Sequence, residues 1–266
     1  MPLSARLRER LELVTDPVQP QDAATIAVVR DGENGLEAFL MRRQATMRFA
    51  AGMYVFPGGR VDHHDQGRFD WAGPSPEYFA DRFNCSVTTA HSLVVAAARE
   101  TFEETGVLLA GADEHSVVED TTEFHDARIA LERHELTFQQ FLQRHDLVLR
   151  ADLLGAWAHW ITPNFEPARY DTRFFVAVMP AGQRIDTVSD EADHSLWAPL
   201  GEVLSAVDQG TAAMMPPTAV TCRELSVETS ATVLVSSAQR EIRPIEPRIV
   251  FIDGEYWLET ESAEQL

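Results

Sequence analysis

The sequence predicts an α/β fold, and three observations predict it. Apolar runs of strand length recur at 23–29, 36–41, 153–160 and 173–179, separated by stretches whose apolar residues repeat with helical spacing. Neither an internal repeat nor a linker divides the chain. A length of 266 residues with 45% hydrophobic content is enough to build one core, so the expected unit is a single elaborated domain over 1–266.

Taken in order, residues 4–14 have the pattern of a short amphipathic helix, stopped by Asp16-Pro17 and Gln19-Pro20. Ala23 to Val29 reads as a buried strand. Asp31-Gly32-Glu33-Asn34-Gly35 supplies turn residues, and Leu36 to Met41 returns as the second arm of a hairpin. Arg42, Arg43 and Arg48 follow, placed either to meet phosphates or to pair with acids of the chain itself. Tyr54-Val55-Phe56-Pro57 reads as a short strand running into Gly58-Gly59, where missing side chains permit a tight turn and leave carbonyl groups accessible.

The stretch with the most chemical content is Ala96 to Gly106. At about 100° per residue, Glu100, Glu103 and Glu104 fall on one face of a helix, within an arc of roughly 100°. Val94, Val95, Ala98, Phe102 and Thr105 fall on the opposite side and suit a core, while Gly106 suits a left-handed C-terminal cap. Three carboxylates this close repel one another, and a hard dication removes the conflict; carboxylate oxygens suit Mg2+ or Mn2+. Arg99, close in angle to Glu103, can orient a carboxylate through a forked pair. A solvated acidic face is the alternative for these glutamates when they are considered alone.

Together, Phe56-Pro57-Gly58-Gly59 and Arg99-Glu100-Thr101-Phe102-Glu103-Glu104-Thr105-Gly106-Val107 resemble the signature of the Nudix hydrolases: Gly, five residues, Glu, seven residues, then Arg-Glu-apolar-any-Glu-Glu-any-Gly-apolar. Thr101 stands at an aliphatic position. The first half departs further, because roughly 26 residues are inserted between Gly59 and Arg99, a length that a surface loop tolerates since closure entropy grows slowly. Counting from Gly59 places Asp65 at the usual Glu position; counting back from Arg99 places His91 there.

Leu40, Arg43, Arg48, Gly52 and Phe56-Pro57-Gly58-Gly59 are spaced like the additional motif of the coenzyme A diphosphatase branch, with Met41 and Gln44 in place of its Thr and Ser. The resemblance covers about 22–240. It implies a Nudix-type α/β/α sandwich with a mixed sheet, carrying helical insertions at about 61–90 and 112–150 and a C-terminal hairpin extension over 241–266. It also implies catalytic roles for Arg99, Glu100, Glu103 and Glu104, a metal-binding carbonyl at Gly59, and an acid before the Trp197 strand, for which Glu191 is the candidate and Asp190 the alternate. Arg43, Arg48 and Arg173 are the candidate substrate-binding residues. Dimerisation is implied only at the level of the family.

The remaining segments yield further expectations. Asp62-His63-His64-Asp65 can bind metal or be an inert loop tip. Helices are expected near 127–134 and 137–145, with Phe138, Phe141 and Leu142 in the core. Asn164, Glu166, Arg169, Asp171 and Arg173 lie beside strands, where substrate-facing loops belong. Residues 200–207 should form a helix, and another should run from Pro217 towards Ser236, preceded by Met214-Met215-Pro216-Pro217-Thr218 facing the non-phosphate part of a substrate. Arg248 to Leu258 reads as a hairpin around Asp253-Gly254.

A formal net charge of −20 argues against nucleic acid and anionic membranes as partners. No apolar run reaches membrane-spanning length and no signal-like core appears at the N-terminus, while Cys85 and Cys222 are far apart; the expectation is a cytoplasmic protein. The expected activity is Mg2+- or Mn2+-dependent cleavage of a nucleotide-diphosphate substrate, coenzyme A or acyl-coenzyme A first. ADP-ribose or NADH as substrate, or a Nudix fold kept as a non-catalytic binding module, are the alternatives. The intact Arg-Glu-x-x-Glu-Glu-x-Gly favours the enzyme, and the missing upstream Glu favours the module.

Overall fold

The computed structural model describes residues 17–44, 50–186, 192–252 and 255–260. The helix expected at 4–14 and the turn at Asp253-Gly254 lie outside them. Strands β1 (Gln21–Gly32) and β2 (Gly35–Arg43) form the expected antiparallel hairpin, closing at Gly32 opposite Gly35. Their apolar residues face two cores alternately: Ala24, Ile26, Val28, Phe39 and Met41 enter one, and Ala27, Val29, Ala38 and Leu40 the other. Burial on both faces explains why these strands read as continuous apolar runs rather than as alternating ones.

Strand β3 (Tyr54–Val55) pairs with β2, and β4 (Gly58–Arg60) pairs with β1, Gly59 opposite Ala24. The two glycines therefore lie in a strand, not in the tight turn that their composition suggested. The reason is proximity: a Cβ on Gly58, whose φ is +153°, would stand 2.4 Å from the Ala24 carbonyl oxygen. Only a residue without a side chain lets this strand lie so close to β1.

The segments at 61–90 and 112–150 fold against each other. The first carries a 3-10 turn (His63–Gln66), β5 (Trp71–Ala72) and helix α1 (Pro76–Phe83). Helix α2 (Val87–Thr105) follows, capped by the Ser86 hydroxyl accepting the Thr89 N–H and ended by Gly106 at φ +74°. Then come β6 (Ala110–Gly111), α3 (His125–Glu132), α4 (Phe138–Arg144) and β7 (Val148–Arg150). Strand β7 pairs with β6 in antiparallel and with β5 in parallel, so one small sheet joins both segments. Phe138, Phe141 and Leu142 are buried, and Phe141 stacks on Phe102 of α2 with ring centroids 4.9 Å apart.

The main sheet runs β10-β2-β1-β9-β8-β11, built from β8 (Gly155–Ile161), β9 (Tyr170–Val178), β10 (Ala192–Pro199) and β11 (Pro244–Ile245) around the first hairpin. It is mixed: β1 and β9 are parallel, β1 and β2 antiparallel. Helices α1 and α2 cover one face; α5 (Leu200–Asp208), α6 (Pro216–Leu225) and α7 (Val233–Gln239) cover the other, giving the expected sandwich. The single helix expected from Pro217 to Ser236 is broken into α6 and α7. Between them Thr229 and Thr232 bond locally, and the Ser230 N–H donates to Asp31 at 2.9 Å, so side chains compete with the helical ladder. Strands β12 (Arg248–Ile252) and β13 (Glu255–Glu259) pair as the C-terminal hairpin. Among the described residues no helix is long and apolar enough to cross a membrane.

Candidate active site

Helix α2 was expected to bury one face and present its acids on the other; Glu100 and Glu104 are half-buried, while Glu103 is buried more deeply. Leu93 through Ala98 are fully buried, and so, almost, are Arg99 and Glu103. The run of alanines lets neighbouring elements approach closely, and β4 and the 3-10 turn pack over the acidic side. Thr101, at the aliphatic position of the pattern, donates its hydroxyl to the Ala97 carbonyl at 2.8 Å and is thereby tolerated at full burial.

Arg99 is the hub. Its Nε and Nη2 donate to the two oxygens of Asp65 at 2.9 and 3.0 Å, a bidentate fork. Its Nη1 donates to Glu100 at 2.8 Å and Glu103 at 3.0 Å, and Nη2 also donates to the Arg60 carbonyl at 3.1 Å. Asp65 is 1% exposed. Burial works against the charge on Arg99, but Asp65, Glu100 and Glu103 outweigh it and hold its pKa above the ordinary value. The count from Gly59 thus locates the acid that pairs with Arg99, whereas His91 stacks on Trp71 at 5.4 Å in an aromatic layer.

Glu104 accepts the Gly58 N–H at 2.8 Å. Glu100 lies against Gly59, where an added Cβ would stand 2.3 Å from its Oε1. Burial pushes the Glu103 carboxyl up to about 8; Arg99 opposes the shift, and Glu100 and Asp65 add to it. Arg99 supplies one positive charge against Asp65, Glu100 and Glu103, and Glu104 lines the same cavity, which leaves negative charge in excess. An all-oxygen donor set of this kind fits a hard dication such as Mg2+ or Mn2+.

Gly59, Arg99, Glu100, Glu103 and Glu104 line a cavity of about 960 Å³ together with Arg43, Arg60, Asp62, Trp160, Tyr170, Phe174 and Met215 to Thr218. The Nε of Arg43 is buried and has no hydrogen-bond partner among the described residues. Arg173 is not in this wall: it is buried, donating to Asp22 and to the Asp171 carboxylate at 2.8 and 2.9 Å. Arg169 is likewise committed, to Thr162, Val18 and Glu246. Arg48, Asp190 and Glu191 lie outside the described residues. Arg60, Glu132, His134 and Trp160 line the cavity without having stood out in the sequence. For Arg60 the signal was available, since it directly follows Gly58-Gly59.

A family model described as the NUDT19 Nudix domain matches residues 72–225, more than half of the chain. The chain belongs to this Nudix hydrolase family. Among curated proteins it is similar to "Acyl-coenzyme A diphosphatase NUDT19" of Xenopus laevis, 24% identical over 198 residues, which are 60% of this chain and 52% of the relative. It is also similar to "Putative nudix hydrolase 7" of Caenorhabditis elegans, 25% identical over 178 residues, 67% of this chain and 52% of the relative. The chain thus spans about half the length of these curated relatives. The crystal structure of a Nudix hydrolase from Alicyclobacillus acidocaldarius superposes with a TM-score of 0.62 at 28% identity, covering 82% of this chain and 96% of that one. The matched range of the family model contains Arg99, Glu100, Glu103 and Glu104.

Proposed function

We propose that this Nudix domain hydrolyses the diphosphate bond of a nucleoside diphosphate derivative, with coenzyme A or an acyl-coenzyme A as the substrate. The observation that carries the reading is that Glu100, Glu103 and Glu104, the first two paired with Arg99, line a cavity large enough for a nucleotide. These three side chains and the Gly59 carbonyl would hold Mg2+ or Mn2+; when bound, such an ion neutralises diphosphate charge and lowers the pKa of a bound water. Arg99 orients Glu100 and Glu103, and Asp65 fixes Arg99. The Arg43 guanidinium, on the cavity wall, is a donor for phosphate oxygens. Trp160, Tyr170, Met215 and Pro217 offer apolar surface to the rest of the substrate.

The coenzyme A assignment is supported by the spacing of Leu40, Arg43, Gly52 and Phe56-Pro57-Gly58-Gly59, and by the name of the Xenopus relative. The free thiols, half-buried Cys85 and buried Cys222, suit the reducing cytoplasm. The test is product release from coenzyme A, acetyl-coenzyme A, ADP-ribose and NADH with Mg2+ or Mn2+, using Glu103→Gln/Glu104→Gln as control. Preferential, variant-sensitive cleavage of the coenzyme A compounds is expected. Cleavage of another compound alone overturns the substrate assignment, and full activity of the variant overturns the carboxylate assignment.

A further inference from the structure

We propose that Asp62, His63 and His64 form a second metal site, separate from the carboxylate cluster and taking a borderline transition dication of the zinc class. One ligand atom from each residue lies within 4.8 Å of the other two. The His63 Nδ1 stands 2.9 Å from Asp62 Oδ1, and the two imidazole rings lie 3.7 Å apart between centroids, tilted by 40°. Three successive residues ordinarily send their side chains in different directions. Here the 3-10 turn gathers them.

The turn is also held in place. Asp62 is its N-cap and accepts the His64 N–H at 2.8 Å, while the Asp62 N–H donates to Asp65 Oδ2 at 2.7 Å. Asp65 in turn is forked onto Arg99 of α2. The backbone carrying the donors is therefore fixed before any ion arrives, so that binding has to order little more than the side-chain torsions.

The donor set decides the class of ion. Imidazole nitrogens suit Zn2+, Co2+ and Ni2+, whereas Mg2+ asks for oxygen donors in near-ideal octahedral geometry. Two imidazoles and a carboxylate leave a coordination position for water or a substrate oxygen, as in catalytic zinc sites. Asp62 and His63 line the cavity, which places that position at its rim. The hard carboxylate cluster and the nitrogen-bearing turn thus divide two kinds of cation between them.

The experiment is a Zn2+ titration of the full chain, stripped of metal, in excess Mg2+, read by calorimetry and by bound-metal analysis. Cobalt absorption in place of zinc reports the coordination. One zinc per chain is expected in the wild type and in Glu103→Gln/Glu104→Gln, with affinity reduced about 100-fold or more in His63→Gln/His64→Gln. Both histidines are exposed, so that variant should keep its circular dichroism spectrum and melting temperature. Equal zinc binding by the histidine variant, displacement of zinc by Mg2+, or no zinc bound by the wild type overturns the proposal. None of these outcomes depends on catalytic activity, so the test is independent of the substrate assignment.

Discussion

Replacing Asp65 by Asn tests whether the Arg99 hub holds the acidic helix in shape. The substitution keeps the volume of the side chain but removes its charge. One oxygen can still accept from Arg99, while the new amide N–H₂ faces a donor, either the other Arg99 N–H or the Asp62 N–H. Breaking a buried ion pair by removing one partner costs about 3–5 kcal/mol, and a surviving neutral hydrogen bond recovers about 1, leaving roughly 2–4 kcal/mol. At about 2–4 °C per kcal/mol for a domain near this size, the melting temperature should fall by roughly 4–16 °C. Differential scanning calorimetry measures that, and calorimetric Mg2+ titration should show weaker binding, because an unrestrained Arg99 no longer holds Glu100 and Glu103 together. Asp65→Glu, which restores the charge, should recover much of both. A variant within about 0.5 kcal/mol of wild type with unchanged Mg2+ affinity would refute the reasoning, since surface substitutions without a structural role fall in that range.

Three further outcomes follow from the same geometry. Burial pushes the Glu103 carboxyl from the ordinary glutamate value of about 4.5 up to about 8, so the folded state holds its proton more tightly; this contribution to stability is complete below about pH 4.5 and is lost as pH rises towards about 8. Metal binding must then displace that proton, so apparent Mg2+ affinity should rise with pH up to about 8 and level off above, a dependence that Glu103→Gln should abolish in titrations at several pH values. Gly59→Ala forces a methyl group to within 2.3 Å of Glu100 Oε1, and should reduce Mg2+ affinity by about 10- to 100-fold with little change in melting temperature. Phe141→Ala should cost about 3–5 kcal/mol in denaturant unfolding, because the ring is fully buried and stacked on Phe102.

Elements set by local chemistry were legible in the sequence. The β1–β2 hairpin follows from two apolar runs and a Gly-rich turn, and the end of α2 follows from Gly106 in the left-handed region. What depended on distant contacts was not. The glycines at 58 and 59 signal backbone freedom, but only the approach of β1 and Glu100 explains why that freedom is required. The acids of α2 have helical spacing, yet the burial of Glu103 and the partial burial of Glu100 and Glu104 depend on packing by elements such as β4 and the 3-10 turn, which no periodicity of the helix itself can report. Arg173 illustrates the converse: a cation beside a strand looks substrate-facing until Asp22, 151 positions away, is found to hold it. Asp65 was ambiguous because an insertion lets two counts give two answers, and its contact with Arg99 across 34 positions resolves them.

The shared ladder of β5, β7 and β6 has a consequence for anyone trimming this protein to a minimal domain. Strand β7 lies between a partner from the first segment and a partner at the start of the second. Deleting the first segment alone would strip β7 of one neighbour and leave a row of open N–H and C=O groups beside apolar Leu149, a template for edge-to-edge association between chains. A shortened version lacking the first segment alone is therefore expected to self-associate, which size-exclusion chromatography reports.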